Sequence, residues 1–218
     1  MTASAWPGPT LPPYVRDEGQ PWTTWLWFSD STVRRDLLVV GSASGLGILT
    51  RQFAAVREFR PVGGGAEPLI PYPGASFDCV VARGALGEAG DPPRASLDGL
   101  WRECHWVLRP GGTLYVDGPN PAWFRSLPGN PRGWLARAQR LKRFATALRA
   151  TGFAEVRMYY VDPELAIPRA IIPATRRAVA AWERFVLPHG ARGRGRVLLA
   201  LAGRHDLLYP ELFLLARR

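Results

Sequence analysis

The chain has 218 residues, 47% of them hydrophobic, and a formal net charge of +10. That length suits one α/β domain with peripheral additions, and that apolar content excludes a disordered chain. Lys142 is the only lysine among 28 basic residues and the arginines are scattered, so the charge reads as a solvated basic surface rather than a nucleic-acid footprint.

Residues 1–33 form a Pro/Trp-rich N-terminal extension. Pro7, Pro9, Pro12, Pro13 and Pro21 forbid a regular helix there. Trp22, Trp25, Trp27 and Phe28 follow, an aromatic cluster suited to packing this leading segment on a core. No basic start precedes an apolar stretch, so no signal peptide is expected. No apolar run reaches the ~18–20 residues that span a bilayer. Cys79 and Cys104 sit inside apolar runs, and their spacing fits neither a disulfide framework nor a metal site. A reducing, cytoplasmic setting is the expectation.

An α/β domain is expected over 34–218. Leu37–Val40 is a fully apolar, β-branched run, as a buried parallel strand should be. Gly41, Gly45 and Gly47 then punctuate a turn, and Ile48–Val56 reads as a short amphipathic helix. A short strand fits near Val56–Phe59. Gly63, Gly64 and Gly65 with Pro61, Pro68, Pro71 and Pro73 leave no room for an ordinary helix before the next strand, Phe77–Ala82. Ala95–Leu108 is helical in pattern, with Leu97, Leu100, Trp101, Cys104 and Val107 on one face. Pro110-Gly111-Gly112 ends it, and Thr113–Val116 is a strand reached by a right-handed crossover.

Residues 119–135 are rich in Pro, Gly and Trp. A basic amphipathic helix is expected over Leu135–Ala150, stopped by Gly152, then a strand over Glu155–Val161. Pro163, Pro168 and Pro173 suggest a rigid connector before a helix over Pro173–Val186. Arg192, Arg194 and Arg196 alternate with glycine in an expected loop, followed by a short apolar segment, Val197–Ala202, and a last strand, Leu207–Ala216. No internal repeat is present.

The order of these pieces resembles the class I S-adenosylmethionine-dependent methyltransferases of the type 11 group. The text ASLDGLWRECHWVLRPGGTLYVDGP is similar to the family's helix, V-L-R-P-G-G turn and fifth strand. AEPLIPYPGASFDCVVARGALGE is similar to its loop and fourth strand, and FATALRATGFAEVRMYY and YPELFLLARR to its later helix and strands. The resemblance implies a Rossmann-like, mostly parallel sheet with a C-terminal antiparallel strand and a shortened region after the second strand. Variable cap insertions are expected at 119–135 and 163–206.

It also implies an S-adenosylmethionine site at the carboxyl ends of the strands, where open α/β sheets bind ligands. Gly41, Ser42, Ala43, Gly45 and Gly47 would form the turn that lets the backbone approach the cofactor. Glu58 is the acid nearest the family's ribose-binding position, and Arg83 follows the fourth-strand motif. The family's strand-one acid is replaced by Val39, and Ala43 stands where another glycine is expected. Gly47 lies only about 30 residues before Phe77, short for the family.

Methyl transfer needs little acid–base machinery, because the sulfonium is already activated. Asp117 and Asn120 after the fifth-strand motif, and Glu88 after the fourth, are the candidates for contacting the acceptor. Asp78 reads as a turn residue, His105 as structural, and His189 and His205 as flanks of the late Gly/Arg loop. Two functions stay open. One is methyl transfer to an oxygen or nitrogen of a small biosynthetic intermediate. The other is a catalytically inactive, methyltransferase-like subunit that binds a partner protein in a homo- or hetero-oligomer. Membrane or nucleic-acid contact by a basic, Trp-rich surface is the remaining alternative.

Overall fold

A computed structural model of the protein describes residues 36–41, 53–60, 70–82, 94–120, 123, 143–163, 169–186 and 191–218. The N-terminal extension, its tryptophans and most of the cap segment 119–135 lie outside the described residues.

Seven strands form one sheet: β1 (Asp36–Val40), β2 (Ala55–Phe59), β3 (Phe77–Ala82), β4 (Leu108–Pro119), β5 (Glu155–Asp162), β6 (Ala170–Pro173) and β7 (Glu211–Arg217). Their order is β2-β1-β3-β4-β7-β5-β6. The first four run parallel to one another. β7 runs antiparallel to both β4 and β5, so β5 points the same way as β4. β6 closes the far side, antiparallel to β5. This is the mostly parallel sheet with a C-terminal antiparallel strand that the sequence resemblance implies. β2 is an outermost strand, consistent with the shortened stretch after it.

Alternation sorts the strand side chains into two cores. Leu38, Val80, Leu114, Tyr160 and Leu214 share one cluster, and Leu37, Val81, Tyr115, Val161 and Phe213 share the other. Helices pack on the first: α1 (Arg94–Val107) through Leu100, Trp101 and Cys104, a helix α2 over 143–150 through Phe144 and Leu148, and α3 (Arg176–Val186) through Val179 and Ala180. α4 (Ala191–Leu201) adds Ala200.

Several elements depart from the sequence reading. The helix expected over Ile48–Val56 does not extend over Phe53–Val56, because Ala55 and Val56 pair with Asp36 and Leu37; its earlier part lies outside the described residues. The Pro-Gly-Gly turn does not lie between helix and strand but inside β4. Phe77 pairs with Leu108 and Cys79 with Thr113, so residues 109–112 bulge out of the ladder. Gly111 takes a φ of 78° there, and a Cβ on Gly112 would stand 2.9 Å from the Arg109 carbonyl oxygen and 3.1 Å from that of Asp78. Only glycine fits that approach. The segment ending at Pro173 is a strand, not a helix start; α3 begins at Arg176, where the Thr175 hydroxyl accepts from the Ala178 N–H at 3.2 Å as an N-cap.

The Arg/Gly stretch expected as a loop is helical, as is most of the apolar segment after it. Glycine lowers helix propensity by about 1 kcal/mol each, and tertiary contact overrides it here. Arg196 makes a bidentate pair with Glu183 on α3, at 2.6 and 2.7 Å. Leu207 belongs to a 3-10 turn, His205–Leu207, rather than to the last strand. Asp78 is not a turn residue. It lies in β3, accepts from the Asp36 N–H at 2.9 Å and pairs with Arg109 at 2.8 Å, at the end of the sheet away from the strand tips. Arg109 also reaches Asp36 at 2.9 Å, and these two carboxylates raise its pKa further above the ordinary arginine value.

Candidate site at the carboxyl edge of the sheet

The parallel strands bring Gly41, Phe59, Ala82, Pro119 and Asp162 to one edge of the sheet. Glu211 joins them there, since it pairs with both Pro119 and Val161. This edge is where the sequence places the site.

On its β1–β2 side, Gly41 leaves β1 with a φ of 107° and donates its N–H to the Phe59 carbonyl at 2.9 Å. A φ in that region disfavours every residue with a Cβ, so glycine is required for this turn. Glu58 lies one residue before the end of β2, in register with Val39. Its carboxylate accepts a hydrogen bond from the Arg60 guanidinium. Val39 is fully buried in the second core, so that position supplies packing rather than charge. Ser42, Ala43, Gly45, Gly47, Arg83 and Glu88 lie outside the described residues, as does His189.

The β4–β7 side is more densely bonded. Asp117 is 5% exposed and pairs with Phe213, on the face that carries Tyr115. Asn120 follows β4 directly and is almost fully buried. Its side-chain nitrogen donates to the Asp206 carbonyl at 2.7 Å and the Tyr209 carbonyl at 2.8 Å, and its backbone N–H donates to the Pro210 carbonyl at 2.7 Å. Asn120 therefore clips the 3-10 turn to the tip of β4. Both side-chain N–H bonds are committed to that clip.

The sequence reading did not single out the next layer. The Tyr209 hydroxyl donates to the buried Glu183 carboxylate at 2.6 Å, beside the Arg196 pair. Burial pushes the Tyr209 phenol above its ordinary pKa, which keeps it a donor. The hydrogen bonds from Arg196 to Glu183 raise the Arg196 pKa. Asp162, at the end of β5, accepts from Arg169 at 2.6 Å and from the Trp182 indole N–H at 3.1 Å. The signal for Glu183 was present: it is the one acid of α3 and stands at helical spacing with the apolar Val179 and Ala180. His205 comes to this edge as well. Its Nε2 lies 3.3 Å from the Ala174 carbonyl and its ring packs edge-on against Tyr160. His105 lies far from the edge, packed edge-on against Phe153, in the structural role its sequence context indicates.

Residues 42–116 match the family model of the methyltransferase domain. Over that stretch, about a third of the chain, the protein is similar to the methyltransferase domain family. Solved structures similar to it include a Haemonchus contortus phosphoethanolamine N-methyltransferase 2 in complex with phosphomonomethylethanolamine and S-adenosylhomocysteine. That likeness is at 14% identity and TM-score 0.49, covering 88% of this chain and 51% of that one, so this chain spans about half its length. An S-adenosylmethionine-dependent methyltransferase from Archaeoglobus fulgidus is similar at 12% identity and TM-score 0.48, covering 85% and 86%. No curated protein matches the chain. The sheet, parallel through β2, β1, β3 and β4 with an antiparallel β7, is Rossmann-like. Among the described residues, no helix is long and apolar enough to cross a membrane, and no cluster of His, Cys, Asp and Glu could hold a metal.

Proposed function

We propose that the chain binds S-adenosylmethionine at this edge and transfers its methyl group to an oxygen or nitrogen of a small biosynthetic intermediate. The observation that carries the reading is the Gly41 turn, pinned to β2 beside Glu58. That pairing supplies two of the things an adenosyl cofactor needs: a backbone without a Cβ to approach, and a carboxylate to accept from ribose hydroxyls. The cofactor itself supplies the activated methyl group.

The chain's own residues then divide the work. Gly41 opens the turn under the methionine portion, and the resemblance assigns Ser42, Ala43, Gly45, Gly47 and Arg83, which lie outside the described residues, to the same cofactor site. Glu58 releases Arg60 to take the ribose. Asp117 and Glu88 face the acceptor, while Asn120 holds the wall formed by the 3-10 turn. The segments expected as caps, 119–135 and those parts of 163–206 that border the edge, would select the acceptor.

A second reading is a methyltransferase-like subunit that no longer catalyses and instead completes a partner. It is favoured by Val39 at the family's acid position and by the Arg60 guanidinium already on Glu58. Isothermal titration with S-adenosylmethionine and S-adenosylhomocysteine separates the two. Micromolar binding that weakens about tenfold in Glu58→Gln supports the first, since a charge-assisted hydrogen bond contributes about 1.5–3 kcal/mol. No heat at millimolar ligand sinks it.

A further inference from the structure

The α3–α4 hairpin carries a surface that the cofactor edge does not use. Among the described residues, five large apolar side chains are exposed, and four of them are on this hairpin: Phe185 at 77%, Leu198 at 65%, Leu201 at 44% and Leu199 at 39%. On α3 the buried positions are Val179, Ala180 and Glu183, which turns Ala181 and Phe185 away from the core. On α4 the burial of Gly193 and Ala200 turns Leu198 outward in the same way.

The two helices run antiparallel. Glu183 meets Arg196 near both midpoints, and Gly203, just past the end of α4, lies against the Arg176 guanidinium at the start of α3. In that register Leu198 stands beside Ala181, and Phe185 is one turn further, ~6 Å along the axis. Leu198 and Phe185 thus lie on one ridge, with Leu199 and Leu201 on either flank of Leu198. Each helix also carries three arginines, and the single acid of the pair, Glu183, is buried and neutralised by Arg196. Arg177, Arg184 and Arg194 are exposed around the ridge.

We propose that this face docks on an anionic lipid surface. A basic rim around protruding Phe and Leu side chains matches what a headgroup region offers: negative charge at the surface and an apolar layer just beneath it. A second copy of the same face would set arginine against arginine. Nucleic acid would satisfy the arginines but gives the leucines nothing to enter. A bilayer needs no shape complementarity, which suits a ridge rather than a groove.

The test is flotation of the full chain with vesicles of phosphatidylcholine alone and of phosphatidylcholine with phosphatidylglycerol. The expected result is binding to the mixed vesicles only, weakened by salt. Phe185→Ser with Leu198→Ser should lower the partition coefficient about tenfold, while far-UV circular dichroism and Tm stay at wild-type values. Arg177→Gln with Arg184→Gln should flatten the salt dependence. Three results would each overturn the proposal: no binding to the mixed vesicles, equal binding to both kinds, or binding that ignores the two serine substitutions. Polyglutamate or duplex DNA competing the chain off the vesicles through the same apolar residues would overturn it too. The outcome is independent of cofactor titration, so the two readings fail separately.

Discussion

The two halves of the carboxyl edge are built differently. On the β1–β2 side, one backbone hydrogen bond among the described residues holds the Gly41 turn, and the nearby carboxylate, Glu58, is exposed and paired with an exposed Arg60. On the β4–β7 side, Asn120 makes three hydrogen bonds to the segment before β7, and Glu183, Arg196 and Tyr209 form a buried polar network behind it. Exposed pairs contribute little, whereas buried partners depend strongly on each other. The β4–β7 wall is therefore held by the fold itself. Among the described residues the β1–β2 side carries fewer such bonds, as suits the proposed ligand-completed surface.

Breaking the dense half should give the largest effect. Arg196→Met leaves the Glu183 carboxylate, 2% exposed, without its cation. The expected loss is about 3–5 kcal/mol, read as a Tm lower by roughly 10 °C in a thermal melt. A double variant with Glu183→Leu should recover most of it, because the stranded charge is then gone. A loss below about 1 kcal/mol in Arg196→Met would make the two halves equivalent. Asn120→Ala comes next. It strips the shared donor from the Asp206 and Tyr209 carbonyls, for an expected loss of about 2 kcal/mol in denaturant unfolding.

The same contrast explains what the sequence disclosed. Strands such as Phe77–Ala82 were legible because burial on both faces writes a continuous apolar run. Gly41 was legible because a required positive φ selects one residue type. The Asn120 clip was not, since its partners lie 86 and 89 residues away and accept through backbone carbonyls, which leave no mark on side-chain identity. The α4 helix was hidden for a related reason: its glycines argue for a loop, and only Glu183 on the neighbouring helix argues back. Asp78 was misplaced because its anchors, the Asp36 N–H and Arg109, lie 42 and 31 residues away.

On the sparse half the effects on stability should be smaller and those on ligand larger. Gly41→Ala forces a Cβ into a φ of 107°, for about 1–2 kcal/mol of strain. Titration calorimetry should show it losing S-adenosylhomocysteine binding by more than that strain alone predicts, because in the proposed site the turn also faces the cofactor. Equal losses in stability and binding would reduce Gly41 to a structural turn. Glu58→Gln should leave Tm within a degree or so, its partner being exposed, while weakening the ligand.

The smallest effect concerns pH and a residue remote from both halves. Burial lowers the pKa of His105 below its ordinary 6.5, the charge of Arg218 lowers it further, and a backbone hydrogen bond at Gly152 opposes both. A histidine whose pKa is depressed by folding binds its proton more readily in the unfolded chain. Its contribution to stability is therefore present above pH 6.5 and is lost as the pH falls through the lower, folded value. His105→Gln should flatten the acid side of the stability profile in that window and leave the profile above pH 7 unchanged in shape. Chemical denaturation at a series of pH values reads this directly. A steeper acid limb in the variant would mean that the protonated ring is the favoured form in the folded chain, with the Gly152 hydrogen bond outweighing burial.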